Sequence, residues 1–430
     1  MFPSGHVKRR RALEYVGAAG TGLLAGCVGL PGGLADERRE STAVETERED
    51  ESPTPESTPT ATPEPTAPEP RFVVDGSGAG DYETLQEAYR VAQDGDVIGI
   101  ESGSYEVTFG GDDLDIEKSL TLVGAGREET TVAIDGPQQE ISMSDNAVDY
   151  WHVTVEPLRQ DGFVYSDASW SLSYATYNVP TRGWKGGAQI GTKIDAYETV
   201  FDAAPLSSDS VSGVREDLSE LALKIGILEA ENCTFRRPVD VQEVAIEGGR
   251  FTAPVRLRDS TSSFSGGEIS NTRFDSGVTV VEGSAGEFTI RRSEIRPDGD
   301  GTAITVSSGG GASSVLNSTI LGRIVDGGDF GLARIEGNVF RADEADVEFF
   351  IDGYGADQIT VNAFRDGDVR IDSGQPTVFD DDRELGNHYS AFDGTDEDDD
   401  GVLDLPRPIP GDGGISDQYP LAADDPSQYL

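Results

Sequence analysis

The chain is short of the residues that build most metal and redox sites. It has two cysteines, three histidines and two methionines among 430 residues. Cys27 ends an apolar N-terminal run and Cys233 lies mid-chain, so a disulfide framework is not expected. A copper or zinc site built from His, Cys and Met is excluded because too few such ligands exist.

Positive charge is also scarce. There are 33 Lys and Arg, of which five are Lys, against 80 Asp and Glu, and the formal net charge is −47. Such a field repels nucleic acid, whose phosphates need clustered Lys and Arg, so no nucleic-acid partner is expected. Many acids, few lysines and 36% hydrophobic residues are typical of proteins from extreme halophiles, where surface acidity keeps a fold hydrated in salt. Two neighbouring carboxylates are therefore weak evidence of catalysis here.

The apolar N-terminal run is too short to anchor a protein by spanning a bilayer, and it follows the basic stretch Lys8 to Arg11. We therefore expect residues 1–27 to be a signal peptide. The arginine pair looks like a twin-arginine export signal, and Leu24 to Cys27, "LAGC", looks like a lipobox, which implies lipidation of Cys27. An arbitrary apolar terminus with a chance cysteine is the alternative. The first interpretation predicts an extracellular lipoprotein that meets the membrane only through its lipid.

Residues 28–70 cannot form a core. Seven prolines lie between 53 and 70, among Thr and Glu. Such sequence favours extended conformers and predicts a stiff spacer between the lipid and a folded domain.

The folded part begins with a strand, a glycine-rich turn and a helix. A strand is predicted at Phe72 to Val74 and another at Val97 to Ile100. Between them Thr84 and Glu87 have the spacing of a helix-capping box. One face of this helix is apolar, through Leu85, Ala88, Tyr89 and Ala92.

This opening, "DGSGAGDYETLQEAYRVAQDGDVIGIESGSY", followed by "KSLTLVGAG" at 118–126, resembles the start of pectin-lyase-like right-handed β-helix proteins, which include pectin methylesterases. In that family the first helix covers the open end of the coil, where unpaired backbone groups would otherwise invite association.

A short unit then recurs about every 23 residues. Each copy ends on a large apolar residue, usually with Asn or Gly just before it: Phe201, Phe235, Phe251, Phe274, Ile295, Ile320, Phe340 and Phe364. Leucine-rich, helical and hexapeptide repeats do not fit these units. We therefore predict an all-β, single-stranded right-handed parallel β-helix over residues 71–380, with an N-terminal capping helix.

The glycosylation sequons at Asn232 and Asn317 fall inside these units. The simpler interpretation is that each asparagine occupies a tight corner, since Asn tolerates left-handed backbone geometry. Cys233 is expected to be a small buried residue and not a nucleophile.

The repeat pattern is lost at about 150–197, which predicts an irregular insertion. Aromatic residues there suit the apolar face of a sugar, and cations suit uronate carboxylates. Packing of the aromatics in the core is the alternative. The carbohydrate-binding candidates are Trp151, Trp170, Trp184, Tyr174 and Tyr177. Lyases of the resembled fold use Arg or Lys as base, which makes Arg182 and Lys185 catalytic candidates.

Pectin methylesterase chemistry is not supported by the sequence. Those enzymes carry a "DFIFG"-like segment with the nucleophilic Asp and an "LGRPW" motif. Leu321-Gly322-Arg323 occurs, but Ile-Val-Asp follows it and no "DFIFG" precedes it.

The segment 381–430 is predicted to be a C-terminal cap. "LGNHYSAFDGTDEDDDGVLDLPRPIPGDGGISDQYPL" resembles the end of NosD-like periplasmic β-helix proteins, whose association with copper does not transfer to a chain so poor in His, Met and Cys. Within it Asp396, Asp398, Asp400, the carbonyl of Val402 and Asp404 have the spacing of a calcium loop with a glycine at its sixth position. A structural calcium ion is predicted, and a merely acidic surface loop is the alternative.

Three functions remain open. The chain is a lipid-anchored protein that binds polysaccharide or cell-envelope glycan, a polysaccharide lyase or glycoside hydrolase acting on acidic extracellular glycans, or a structural or adhesive surface protein. A polar cluster on successive turns of one face would favour an enzyme. A monomer is expected. The fold alone does not decide among these functions.

Overall fold

The computed structural model describes residues 66–108, 118–135, 147–158, 169–179, 181–182, 193–203, 223–258, 266–281, 287–296, 301–306, 313–326, 332–341, 350–351, 358–365, 383–410 and 416–430. Within these ranges the helices are the α-helix Leu85–Val91 and the 3-10 helix Pro426–Gln428. The strands stack in parallel, turn upon turn, and so form a parallel β-solenoid.

The larger sheet has 19 strands in two parallel rows. The first row contains Phe72–Val74, Val97–Ile100, Leu120–Gly124, Ala147–Trp151, Ser169–Ser173, Lys193–Tyr197, Leu223–Glu231, Val239–Glu247, Gly266–Ser270, Glu287–Arg291, Ser313–Leu316, Leu332–Glu336 and Gln358–Thr360. The second row adds Thr181–Arg182, Val255–Arg258, Val278–Val281, Thr302–Val306, Arg323–Asp326 and Phe350–Ile351. The nine-residue strands Leu223–Glu231 and Val239–Glu247 belong to both rows and join them.

A second sheet of 13 strands forms another side of the solenoid. Most of its strands have two residues, because only a short segment fits between two corners of a turn. They are Gly103–Thr108, Thr130–Asp135, Thr154–Pro157, Thr176–Tyr177, Val200–Phe201, Thr234–Phe235, Arg250–Phe251, Arg273–Phe274, Glu294–Ile295, Thr319–Ile320, Val339–Phe340, Ala363–Phe364 and His388–Tyr389. A separate antiparallel pair, Arg407–Pro408 with Ser416–Asp417, lies near the C-terminus.

The repeat alignment predicted from the sequence is confirmed in this second sheet. The eight predicted unit ends are consecutive register partners, from Phe201 paired with Phe235 to Phe340 paired with Phe364. Their side chains point inward and stack, with ring centroids 4.6 Å apart for Phe201 and Phe235 and 4.3 Å apart for Phe235 and Phe251. Each turn therefore adds one large apolar side chain to a continuous core column.

The corner before each of these strands uses left-handed backbone, as predicted for asparagine. Asn232, Asn271 and Asn317 have φ of 55°, 52° and 50°. The exposed amide of Asn232 lies against Gly248, where an added Cβ would collide with the Asn232 Oδ1 atom. A glycine in the next turn therefore makes room for the corner asparagine.

The residue after a corner points inward, and in several turns it bonds to the same position of the next turn. Backbone N–H groups donate along this column from Ser318 to the Asn338 Oδ1 (2.8 Å), from Asn338 to Asn362 (2.9 Å) and from Asn362 to Asn387 (3.1 Å). Cys233 holds this position in its own turn, and its Sγ accepts from Thr199 N at 3.5 Å. Cys233 is fully buried, which confirms a core residue, and burial raises the pKa of its thiol to about 12.

The start of the domain follows the sequence prediction closely. The strands Phe72–Val74 and Val97–Ile100 pair in parallel. Thr84 caps the helix, accepting from Glu87 N, and the Glu87 carboxylate accepts from Thr84 N in return. Leu85, Ala88 and Tyr89 belong to the same core as the first turns.

The interval 150–197, predicted to be an irregular insertion, is described in part. Its described stretches are ordinary turns of the solenoid, because Ser169–Ser173 pairs in register with strands on both sides. Thr176–Tyr177 likewise continues the second sheet. The repeat is hard to see in the sequence here because Val155 and Tyr177 stand where later turns have phenylalanine, and His152 and Tyr174 stand at the corners.

Candidate functional site

The predicted aromatic residues divide into a buried and an outer group. Trp170 and Tyr177 are 3% and 0% exposed. Trp170 stacks on Tyr150 with centroids 5.7 Å apart and meets Tyr177 edge-on at 5.9 Å. These two side chains have no face left for a sugar, so the structure corrects their assignment to carbohydrate binding and places them in the core.

Trp151 is half-buried on the outer face of its strand, whereas Tyr174, at the corner of the next turn, is only 9% exposed. Trp151 follows the inward-facing Tyr150, and its ring centroid is 6.2 Å from that of Tyr174. His152 stacks on Tyr174 at 5.2 Å with an interplanar angle of 7°. Tyr197 of the next turn meets Tyr174 edge-on at 5.3 Å. We call Trp151, His152, Tyr174 and Tyr197 the outer aromatic group.

Beside the outer aromatic group runs a line of polar side chains, one from each of four turns. Asp149, Ser171, Asp195 and Glu229 are consecutive register partners on the first row of the larger sheet. Each acid lies two residues before Trp151, Tyr197 or Glu231, on the same outer surface. We call these four residues the acid row.

Lys193 binds two members of the acid row. Its Nζ lies 3.3 Å from the Asp195 Oδ1 and 3.0 Å from the Glu229 Oε1. The side chains of Lys193, Asp195 and Glu229 are 34%, 41% and 53% exposed, so a ligand can reach them. The lysine neutralises only part of the negative charge of its neighbours.

The environment raises the pKa of several of these carboxyl groups. Burial raises the pKa of Asp149, against a hydrogen bond with Ser171. Burial also raises the pKa of Asp195, as does the negative charge of Glu229, although Lys193 opposes both effects. The pKa of Glu243, on the following turn, is raised by burial and by Glu229. Carboxyl groups that hold a proton at higher pH than usual are suited to donating one.

Lys193 itself is held in the charged form. Partial burial lowers its pKa, but hydrogen bonds and attraction from Glu229 and Asp195 outweigh that effect, and the net shift is upward. An ammonium group in this state does not abstract a proton near neutral pH.

The neighbouring row of the larger sheet carries a second line of charge. Arg182, Lys224, Asp240 and Arg256 are register partners on successive turns. Asp240 alternates with the inward Val239 and Val241, yet it is only 1% exposed. Arg182, a predicted base, therefore shares a backbone register with another cation and with a buried acid.

The predicted calcium loop forms a compact turn. Ligand oxygens of Asp396, Asp398 and Asp400 lie within 4.8 Å of one another. The Asp396 carboxylate accepts from the N–H groups of Asp400 (3.1 Å) and Gly401 (2.9 Å), and Gly401 has φ of 90°. Three carboxylate oxygens at this separation fit the ligand set of a calcium ion.

The other two predicted ligands contribute to the turn in a different way. The Asp404 Oδ2 accepts from Glu397 N at 2.9 Å, and Val402 N donates to the Asp400 Oδ1 at 2.8 Å. Gly401 is tied to the C-terminus, because its carbonyl accepts from the Tyr429 hydroxyl at 3.0 Å. The loop thus lies where it can order the last residues of the chain.

Some predicted residues lie outside the described ranges. These are the lipidation site Cys27 and the candidates Trp184 and Lys185; of Arg182 the backbone is described. Among the residues that the structure describes, no helix is long and apolar enough to cross a membrane.

Sequence reasoning missed Asp149, Asp195 and Glu229 because acids are common throughout the chain. A usable signal exists: each precedes an inward residue of the repeat, respectively Tyr150, Ala196 and Ala230. Aligning the turns on those inward residues would have placed the three acids in one line.

Comparisons with known proteins add little. No family model matches the chain, and no curated protein matches it. Among solved structures, a pectin methylesterase from carrot is similar over 66% of this chain and 91% of its own, with 14% identity and a TM-score of 0.21. A similarity at that TM-score carries no weight for function.

Proposed function

We propose that this protein binds a polysaccharide along the outer surface formed by the outer aromatic group and the acid row. The observation that carries the proposal is their adjacency: the rings lie two residues from acids on the same strands. Sugar rings have apolar faces that stack on aromatic side chains and hydroxyl groups that donate to carboxylates. Both kinds of contact are available side by side on the turns of Trp151 and Tyr197.

A second candidate, glycoside hydrolysis, is favoured by the pair Asp195 and Glu229. The raised pKa of Asp195 suits a general acid that protonates the leaving oxygen of a glycosidic bond. Glu229 would act as the carboxylate that activates water or attacks the sugar. Lys193, whose Nζ lies 3.0 Å from the Glu229 Oε1, would place a positive charge beside it.

A lyase mechanism with Lys193 as base is disfavoured, because the pKa of that lysine is raised. Arg182 and Lys185 stay candidates for such a base.

The test combines binding and cleavage on a panel of neutral and acidic polysaccharides. We expect Trp151→Ala to weaken binding about tenfold. Asp195→Asn and Glu229→Gln should leave binding within a few-fold and reduce release of reducing ends by about 100-fold or more. Glu268→Gln, on the same sheet but paired with Arg291, is the matched control.

The outcomes separate the two candidates. Binding without cleavage by the unaltered protein would leave the binding proposal standing and remove hydrolysis. Unchanged affinity of Trp151→Ala on every ligand that the protein binds would contradict the binding surface. If hydrolysis occurs, it should decline as pH rises through the raised pKa of Asp195, because the general acid loses its proton there.

The remaining features of the proposal concern the setting of this surface. We propose that Cys27 is lipidated, that residues 28–70 space the domain from the membrane, and that the protein acts extracellularly as a monomer. The order of motifs in residues 1–27 supports export. We also propose a right-handed coil whose helix Leu85–Val91 covers the first turn, supported by packing of that helix in the same core.

A structural calcium ion at Asp396, Asp398 and Asp400 completes the proposal. A calcium ion that binds the folded protein but not the unfolded chain would stabilise the folded state by mass action. Chelation at matched ionic strength should therefore lower the melting temperature, and Asp398→Asn should remove that response. Asp393→Asn, an exposed change outside the predicted ligand set, should keep it. A melting temperature that does not change on chelation would mean that the loop is an acidic surface turn without a structural ion.

A further inference from the structure

Arginines are concentrated on the outer side of the second sheet, away from the acid row. Arg236, Arg237, Arg250, Arg273 and Arg296 lie on four consecutive turns, next to strands that are register partners. At about 4.8 Å between strands, the group spans about 15 Å along the solenoid. We call these five residues the arginine strip. It is unexpected in a chain with net charge −47.

Three carboxylates hold the five guanidinium groups in place. Asp202 binds Arg236 at 3.3 Å and Arg237 at 2.9 Å. Asp275 binds both Arg250 and Arg273, the latter at 2.7 Å. Glu294 binds Arg296 at 2.8 Å. The eight groups together carry two net positive charges.

The arginines are more exposed than the acids that hold them. The five arginine side chains are 42–55% exposed, whereas Asp202, Asp275 and Glu294 are 29%, 17% and 37% exposed. Attraction to the arginines outweighs burial and lowers the pKa of Asp275, so it stays ionised. The carboxylates therefore fix the guanidinium groups while leaving their outer edges free to meet a ligand.

Stability alone is a poor explanation of this arrangement. Exposed ion pairs contribute about 0–1 kcal/mol each. Arg250 and Arg273 are also direct register partners, and like charges opposite each other on neighbouring strands are unfavourable. The pairing leaves a surplus of cations at one place on a strongly acidic molecule.

We propose that the arginine strip binds an anionic polysaccharide whose carboxylate or sulfate groups recur along the chain. The paired N–H donors of a guanidinium group match the oxygen atoms of a planar carboxylate or a tetrahedral sulfate. The arginines recur on four consecutive turns in two neighbouring columns, with Arg250 and Arg273 just before the inward residue and Arg236 and Arg296 just after it, which suits an extended polymer with repeated charge. This binding site is separate from the surface proposed above and does not depend on it.

The test uses two triple variants that remove equal charge. Arg236→Gln, Arg250→Gln and Arg296→Gln alter the strip while leaving Asp202 and Asp275 one arginine each. Arg71→Gln, Arg291→Gln and Arg334→Gln remove exposed arginines from elsewhere. The probes are polygalacturonate, dextran sulfate and neutral dextran, titrated at two salt concentrations, with melting temperature and sedimentation velocity recorded for each protein.

We expect the unaltered protein to bind polygalacturonate, dextran sulfate or both, and to ignore neutral dextran. The strip variant should lose at least about tenfold in affinity, while the control variant changes less than about threefold. The two anionic probes distinguish carboxylate from sulfate as the recognised group.

Three results would overturn the proposal. They are an equal loss of affinity in both triple variants, no affinity of the unaltered protein for either anionic probe, or sedimentation showing that the arginine strip drives self-association and not polymer binding. If the triple strip variant has a lowered melting temperature, the single variant Arg250→Gln is used in its place. In that variant Arg273 still forms its ion pair with Asp275.

Discussion

A buried polar side chain holds the corner in several turns of this solenoid. Asn362 is fully buried and uses its whole amide: Oδ1 accepts from Asn338 N, and Nδ2 donates to the carbonyls of Ile335 and Thr360 and to the Asn387 Oδ1. Backbone groups at a corner cannot pair within a sheet. The asparagine supplies the partners that they lack.

This role makes a prediction for Asn362. Replacement by Ala leaves the buried Asn338 N–H without its acceptor and should lower the free energy of unfolding by about 3 kcal/mol. Replacement by Ser should cost less, since Ser293 and Ser318 hold the same position in earlier turns and accept the equivalent bond. Denaturant unfolding of both variants checks the order. Equal losses would mean that side-chain volume, not hydrogen bonding, matters there.

At the scale of elements, the C-terminal segment ends the asparagine column with a carboxylate. Asp417, on the antiparallel pair, is fully buried. Its Oδ2 accepts from Asn387 N (2.8 Å) and from the Tyr389 hydroxyl (2.9 Å), and its Oδ1 accepts from Tyr419 N (3.0 Å). The segment therefore joins the last turn by continuing the bonding pattern of the column.

Asp417 predicts a pH dependence of stability. Burial raises its pKa from 3.8 to about 6, although its hydrogen-bond donors oppose the shift. The folded state thus binds this proton more tightly than the unfolded state. The stabilisation is complete below about pH 4 and is lost as pH rises through about 6.

The difference between the unaltered protein and Asp417→Asn isolates this effect from the other acids. Unfolding free energies measured from pH 4 to 7 should fall for the unaltered protein relative to the variant, by an amount on the order of 3 kcal/mol. The exposed change Asp393→Asn should give no such difference. Parallel curves for Asp417→Asn and the unaltered protein would show that Asp417 titrates normally.

At the scale of the whole molecule, charge is unevenly distributed. The acid row occupies one side of the solenoid and the arginine strip another, while the net charge is −47. Repulsion among surface acids destabilises a compact state unless salt screens it. A solenoid concentrates this repulsion, because neighbouring strands bring outward side chains of successive turns close together.

We therefore expect stability to rise with salt. Screening length falls from about 10 Å at 0.1 M to about 3 Å at 1 M, so most of the gain in melting temperature should occur below 1 M KCl. Thermal melts in graded KCl measure it. A melting temperature that does not change over this range would mean that the acids are too far apart or too well paired to repel.

How much was predictable differs between fold and site. Phe201, Phe235, Phe251 and Phe274 identified the repeat, because one inward residue per turn must fill the core column. Thr84 and Glu87 identified the helix start through local bonds alone. Trp170 was misassigned, since a tryptophan suits a core and a sugar-binding surface equally well until its neighbours are known.

The sequence by itself determined the repeat, its corners, the capped helix and the position of the acidic loop. These depend on contacts between residues close in the chain or at equivalent places in successive turns. Only the tertiary structure decided that Asp149, Asp195 and Glu229 form one line and that five arginines gather on four consecutive turns of the second sheet. The physical reason is that turns differ in length, so residues become neighbours through strand register, which their spacing in sequence does not reveal.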